Sequence, residues 1–133
     1  MKVYCNSCNK PTTHRQKLED IVCNKCDRCN LPVFLQRVGD GCIKVGTRLV
    51  WIEWTDDGLG KATHNDPQLG FSLCLDPYII KSEFDGLPPT SGYHWMTSVL
   101  TEIIEDTSSK DYRMIKFKTK NSEYILHVTT LNL

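Results

Sequence analysis

Seven cysteines stand in this chain of 133 residues, and five of them crowd into its first 29 positions. Cys5-Asn-Ser-Cys8-Asn9-Lys-Pro11 returns as Cys26-Asp-Arg-Cys29-Asn30-Leu-Pro32, so both copies read Cys-x-x-Cys-Asn-x-Pro. Two cysteines at this spacing can wrap one metal from a single tight turn, and two such turns supply four thiolates at tetrahedral corners. That donor set suits Zn2+. Four protein ligands also close the coordination shell, which makes the metal structural; catalytic zinc keeps one position open for water. The expectation is one structural zinc held by Cys5, Cys8, Cys26 and Cys29, and no enzymatic chemistry at the metal.

A second pairing competes. Cys23-Asn-Lys-Cys26 is also a Cys-x-x-Cys, so five cysteines offer themselves for four places. The repeat favours Cys29, because Asn-x-Pro follows it as it follows Cys8. The residue after the second cysteine of such a turn tends to a left-handed backbone, which asparagine tolerates better than most residues. Asn9 and Asn30 occupy that place, and Pro11 and Pro32 start the next segments extended. His14 is a weaker substitute ligand and reads first as a strand histidine facing solvent.

The N-terminus, Met-Lys-Val-Tyr-Cys, carries no apolar leader region, and no apolar run approaches membrane-spanning length. The expected compartment is the cytoplasm, where thiols stay reduced and free for metal. Formal net charge is zero, but it is unevenly spread. Residues 1–38 hold seven Lys/Arg against three acids, whereas the rest holds nine against thirteen. A basic N-terminal module suggests an anionic partner, with Arg15, Lys17, Arg28 and Arg37 as the candidate nucleic-acid contacts. Four thiolates and one zinc would roughly halve that positive excess.

These cysteines must be positioned by a small β unit. Pro11 to Val22 reads as a hairpin with its bend near Leu18-Glu-Asp20, and Val33–Val38 as a third strand. Two cysteine turns on three strands make a zinc ribbon over residues 1–38, with the metal supplying much of its folding free energy. Gly39-Asp-Gly41 is the expected boundary. Residues 42–133 read as all-β. Val50, Ile52 and Trp54 share a face, as do Phe71, Leu73 and Leu75. Ile115 and Phe117 lie opposite Lys116 and Lys118, and Tyr124, Leu126 and Val128 alternate with Ile125 and His127. Lys120–Glu123 joins the last two strands as a hairpin. Thr97–Asp106 is rich in β-branched residues and reads as a strand. The fold class expected is mostly β: a zinc ribbon plus a small SH3-like or partly open β-barrel. Cys42 and Cys74 read as buried thiols.

Cys5-Asn-Ser-Cys8-Asn-Lys-Pro-Thr-Thr13-His14-Arg15 resembles the Cys-x-x-Cys…Thr-x-His opening of zinc-ribbon proteins, including small ribosomal ribbons and short bacterial and phage proteins. That resemblance implies nucleic-acid or protein binding and no catalysis. Asp57-Gly-Leu-Gly60, Pro67-Gln-Leu-Gly70, Trp95-Met-Thr-Ser98, Glu102-Ile103 and Phe117–Tyr124 resemble a recurring β-domain of bacterial and phage proteins. That likeness carries no functional residue across.

Other constellations read more plainly. Asp56, Asp57, His64 and Asp66 form a solvated turn before they form a hydrolytic metal site. Tyr93-His94-Trp95, with Trp51 or Trp54, reads as an apolar plug before an aromatic platform. Lys116, Lys118 and Lys120 guard an exposed sheet face as readily as they follow a phosphate backbone. The function expected is a non-enzymatic, zinc-stabilised protein that contacts nucleic acid or a protein of a nucleic-acid machine. The alternative is a protein–protein adaptor or inhibitor, such as a phage factor, whose acids (Asp56, Asp57, Asp66, Asp76, Glu83, Asp85) engage a basic partner. A small-ligand binder or metal hydrolase comes last, and no membrane partner is expected.

Overall fold

The computed structural model describes residues 1–76, 78–80, 90–92 and 95–129. Every regular element among them is a strand. In chain order they are β1 (Lys2–Cys5), β2 (Lys10–Lys17), β3 (Asp20–Cys23), β4 (Val33–Arg37), β5 (Ile43–Gly46), β6 (Leu49–Trp54) and β7 (Gly60–His64). Then come β8 (Ser72–Leu75), β9 (Tyr78–Ile80), β10 (Thr90–Gly92), β11 (Trp95–Met96), β12 (Leu100–Ser108), β13 (Tyr112–Thr119) and β14 (Glu123–Thr129). No helix among the described residues is long and apolar enough to cross a membrane.

The mostly-β expectation holds, and among the described residues the strands form open sheets, none closed into a barrel. A three-stranded sheet runs β1-β2-β3, a four-stranded one β11-β8-β6-β7, and a five-stranded one β12-β13-β14-β4-β5; β9 and β10 pair with each other. The two larger sheets share one apolar core. Val33, Leu35, Leu100, Ile115, Phe117, Tyr124 and Leu126 come from the five-stranded sheet, and Trp51, Leu73 and Leu75 from the four-stranded one. Trp51 meets Phe117 edge-on with ring centroids 5.6 Å apart, an arrangement the ring quadrupoles favour.

Three sequence expectations shift here. Residues 33–38 do not supply the third ribbon strand. β4 pairs with β14, in the register Leu35↔Leu126, and β1 completes the ribbon by pairing with β2. The reason is burial: Val33, Phe34 and Leu35 are all buried, and a three-stranded ribbon has no interior that could take three consecutive apolar side chains. In β6 the core face is the one that carries Trp51, not the one with Val50, Ile52 and Trp54, because Phe117 of the facing sheet meets the Trp51 ring edge-on. Trp51 is therefore not available as a platform. Cys74 is buried as expected, whereas Cys42 is only half-buried.

Other elements fall as the patterns indicate. Residues 100–108 are a strand, and Lys120–Ser122 connects the β13–β14 hairpin. Lys116 and Lys118 face Glu105 and Glu102 of β12 at 4.0 and 3.8 Å, a charged face that covers a sheet.

The ribbon is seated on the five-stranded sheet. Tyr4 stacks on His127 and tilts against Phe34, each at 4.3 Å between centroids. Thr129 Oγ1 donates to the Lys2 carbonyl at 2.6 Å, and the Lys2 amide donates to Asp111 at 3.1 Å. Beneath Tyr4, the Tyr112 hydroxyl is hydrogen-bonded to Nδ1 of His127. Burial lowers the pKa of His127 to about 4, so the ring is neutral there.

Candidate metal centre

β1 and β3 each end on a cysteine, and each is followed by a tight turn that brings back a second one. The cysteines so gathered are Cys5, Cys8, Cys23 and Cys26, with all four sulfur atoms within 4.8 Å of one another. Tetrahedral zinc with bonds of ~2.3 Å needs sulfurs about 3.8 Å apart, so the spacing fits. Cys5 and Cys26 Sγ stand 3.5 Å apart. The four thiols can hold a metal ion.

The structure thus gathers Cys23 in place of Cys29. Cys29 is exposed and pairs as an isolated antiparallel bridge with Val22. The Cys23 amide donates to the Arg28 carbonyl, and the Asn30 amide to that of Ile21, each at 2.9 Å. These bonds draw residues 28–30 back along β3, outside the four-sulfur group. The left-handed residues tell the same story. Asn9 follows Cys8 at φ 56°, as expected, but in the second turn the left-handed residue is Asp27 at φ 59°, not Asn30. Aspartate shares asparagine's tolerance of that region. The repeat that the backbone obeys is therefore Cys-Asn-x-Cys-Asn/Asp, at 5–9 and 23–27. That signal was present in the sequence, overlaid by the longer Cys-x-x-Cys-Asn-x-Pro match.

The two turns treat their sulfurs alike. Backbone amides of Ser7 and Cys8 donate to Cys5, and those of Lys25 and Cys26 to Cys23. Desolvation raises the Cys23 thiol, but Thr12 and these amides outweigh it and bring it to about 6. Cys5 is lowered by the same balance. Cys8 is pushed up to about 12 by desolvation and by its neighbouring thiols. Cys26 also ends up raised: the Arg28 amide lowers it, but desolvation and the Cys5 and Cys23 sulfurs outweigh that. Four crowded thiols cannot all ionise unaided, and a divalent cation among them removes that conflict.

His14 does not face solvent. It is 3% exposed and hydrogen-bonds to the Thr12 carbonyl and to Asn30.

The four basic residues expected to contact nucleic acid differ in their surroundings. Arg15 closes the second cysteine turn, reaching Asp27 at 2.6 Å and the Asn24 side chain at 3.0 Å. Arg37 lies in the five-stranded sheet and grips Asp40 with two nitrogens, at 3.0 and 2.9 Å. Lys17 and Arg28 are exposed and have no ion pair among the described residues. A different basic spot exists. The Lys25 ammonium lies against that of Lys10 and holds its pKa below the usual lysine range.

The remaining constellations disperse. Asp57 accepts from Thr55 at 2.6 Å in the turn closed by Gly58. His64 pairs with Glu53 at 2.8 Å, and Asp66 with Arg113 at 2.8 Å. Asp76 caps β5, accepting from the Thr47 amide at 2.8 Å. Tyr93, His94, Glu83 and Asp85 lie outside the described residues, while Trp95 packs against Tyr124. No protein-family model, curated protein or solved structure matches this chain.

Proposed function

We propose that this chain is a non-enzymatic binding protein whose zinc site is a folding device for the ribbon, and that the ribbon's hairpin contacts a partner protein. The observation that carries the reading is the β2–β3 tip. Leu18 is 91% exposed there and holds a left-handed backbone at φ 58°. A leucine is unfavourable on both counts: the conformation costs roughly 1–2 kcal/mol, and the apolar side chain gains nothing in water. A partner that buries Leu18 accounts for both. The donor set agrees, since four thiolates leave a zinc ion no open position for substrate.

The test uses the zinc-loaded chain as bait, alongside Leu18→Asn. A specific protein held by the wild type and lost with Leu18→Asn supports the reading; equal capture by both overturns the hairpin assignment. A nucleic-acid partner is the second reading, favoured by the Lys10–Lys25 pair beside the metal turns. It requires oligonucleotide binding that falls steeply with salt and weakens in Lys10→Glu or Lys25→Glu. Absence of binding at low salt removes it.

A further inference from the structure

A strap of polar side chains crosses the ribbon beneath the cysteine cluster. Thr12 Oγ1 lies 3.0 Å from Cys23 Sγ. Nδ1 of His14 lies 2.9 Å from the Thr12 carbonyl oxygen. A carbonyl only accepts, so Nδ1 carries the hydrogen and the neutral ring offers its lone pair at Nε2. Asn30 Nδ2 stands 3.0 Å from that Nε2. Asn30 Oδ1 accepts the Asn6 amide at 3.3 Å, which fixes the orientation of the carboxamide. The second N–H of the same Nδ2 turns to the Arg28 carbonyl oxygen at 3.5 Å. The path therefore runs from Cys23 through Thr12, His14 and Asn30 to the Asn6 amide, from one cysteine turn to the other.

The strap occupies the space that an apolar core would fill elsewhere. Thr12 and His14 are buried, and the apolar side chains buried with them in the three-stranded sheet are Val3 and Val22. Every buried side-chain nitrogen and oxygen among the described residues has a partner. A complete buried network of this kind fixes one geometry, since breaking any link strands a polar group. Hydrogen bonds to a ligating sulfur orient it, and groups one layer out from a metal carry much of its affinity.

We propose that Thr12, His14 and Asn30 are positioning residues of the metal centre. Thr12 aims its hydroxyl at Cys23, and His14 holds Asn30 so that its Oδ1 fixes the Asn6 amide of the first cysteine turn. None of the three is a ligand. The proposal rests on the reading that Cys5, Cys8, Cys23 and Cys26 hold zinc.

The experiment measures zinc affinity of the full chain by competition with a chromophoric chelator, together with the Co2+ absorption spectrum of each variant. Asn30→Ala and His14→Phe should each weaken zinc binding 10- to 100-fold. Thr12→Val, close to isosteric, should weaken it by a similar or smaller factor, and Thr12→Ser should restore wild-type affinity. The Co2+ charge-transfer bands should keep four-thiolate intensity throughout, because no ligand is removed. If Asn30→Ala and Thr12→Val stay folded and bind zinc within about twofold of wild type, the proposal is overturned. Where Asn30→Ala does not fold, Thr12→Val against Thr12→Ser decides. A wild-type chain that binds no zinc overturns the underlying metal reading instead, which distinguishes the two failures.

Discussion

The ribbon and the paired sheets solve the same problem by different means. The sheets bury Trp51, Phe117, Leu126 and their neighbours against each other, so apolar area removed from water holds them. The ribbon buries little more than Val3 and Val22 around a polar strap and four thiols. Its geometry is set by residues that are costly to bury unless paired or metal-bound. One region is held by area and the other by a polar network around four cysteines that can hold a metal ion. They meet at the Tyr4–Phe34–His127 seam.

The largest effect should come from the cysteines. Cys23→Ser should abolish zinc binding, an apparent loss on the order of 10 kcal/mol of folding free energy for the ribbon. Cys29→Ser should still bind one zinc per chain. Elemental analysis of both variants checks this, and the reverse result would restore Cys29 as the ligand. Chelation of the wild type should likewise expose amides of residues 2–23 to hydrogen exchange while those of β13 and β14 stay protected. Simultaneous loss of protection in both would mean that the regions are not held separately.

Next in size is the apolar core. Leu126→Ala should cost about 3–5 kcal/mol in denaturant unfolding of the sheets, with zinc affinity changed by less than a few-fold. A large fall in zinc affinity would erase the contrast. At the seam, burial lowers the folded pKa of His127 to about 4, below its ordinary value of about 6.5. Between those values the unfolded chain binds a proton that the folded chain does not, so stability present above pH 6.5 is lost as pH falls toward 4. The ring is partly solvated, which limits the loss to roughly 1–2 kcal/mol. His127→Phe should flatten that part of the acid limb relative to wild type, a difference that cancels any acid release of metal common to both. The smallest effect is a gain. Leu18→Asn should stabilise the hairpin by up to about 1 kcal/mol, since asparagine accepts the left-handed backbone more readily. A lower melting temperature for that variant would show Leu18 packing within the fold.

The strand-forming segments were readable wherever one face met the core. Ile115–Phe117 against Lys116–Lys118 gave both the strand and its orientation, because period-two alternation records which face is dry. β6 was legible as a strand but not in phase, since both of its faces carry apolar side chains and only the facing Phe117 selects Trp51. The Val33–Leu35 run signalled burial without saying in which sheet. Its partner, β14, lies some ninety residues away, and register between distant strands is written in no local pattern.

The sequence by itself determined that a cluster of four cysteines is built near the N-terminus on a small β unit, because Cys-x-x-Cys spacing and turn-forming asparagine and aspartate act locally. Which four of five cysteines converge was decided by the tertiary structure. Residues 28–30 zip back along β3 through the Cys23 and Asn30 amides, and that pairing carries Cys29 away from the cluster. The same fold turned His14 from a solvent-facing strand residue into the centre of a buried strap, and drew Arg15 and Arg37 into ion pairs within the chain. Distances between sulfurs, and between charges, depend on how strands separated in sequence are brought together, and that information is not present in residue spacing.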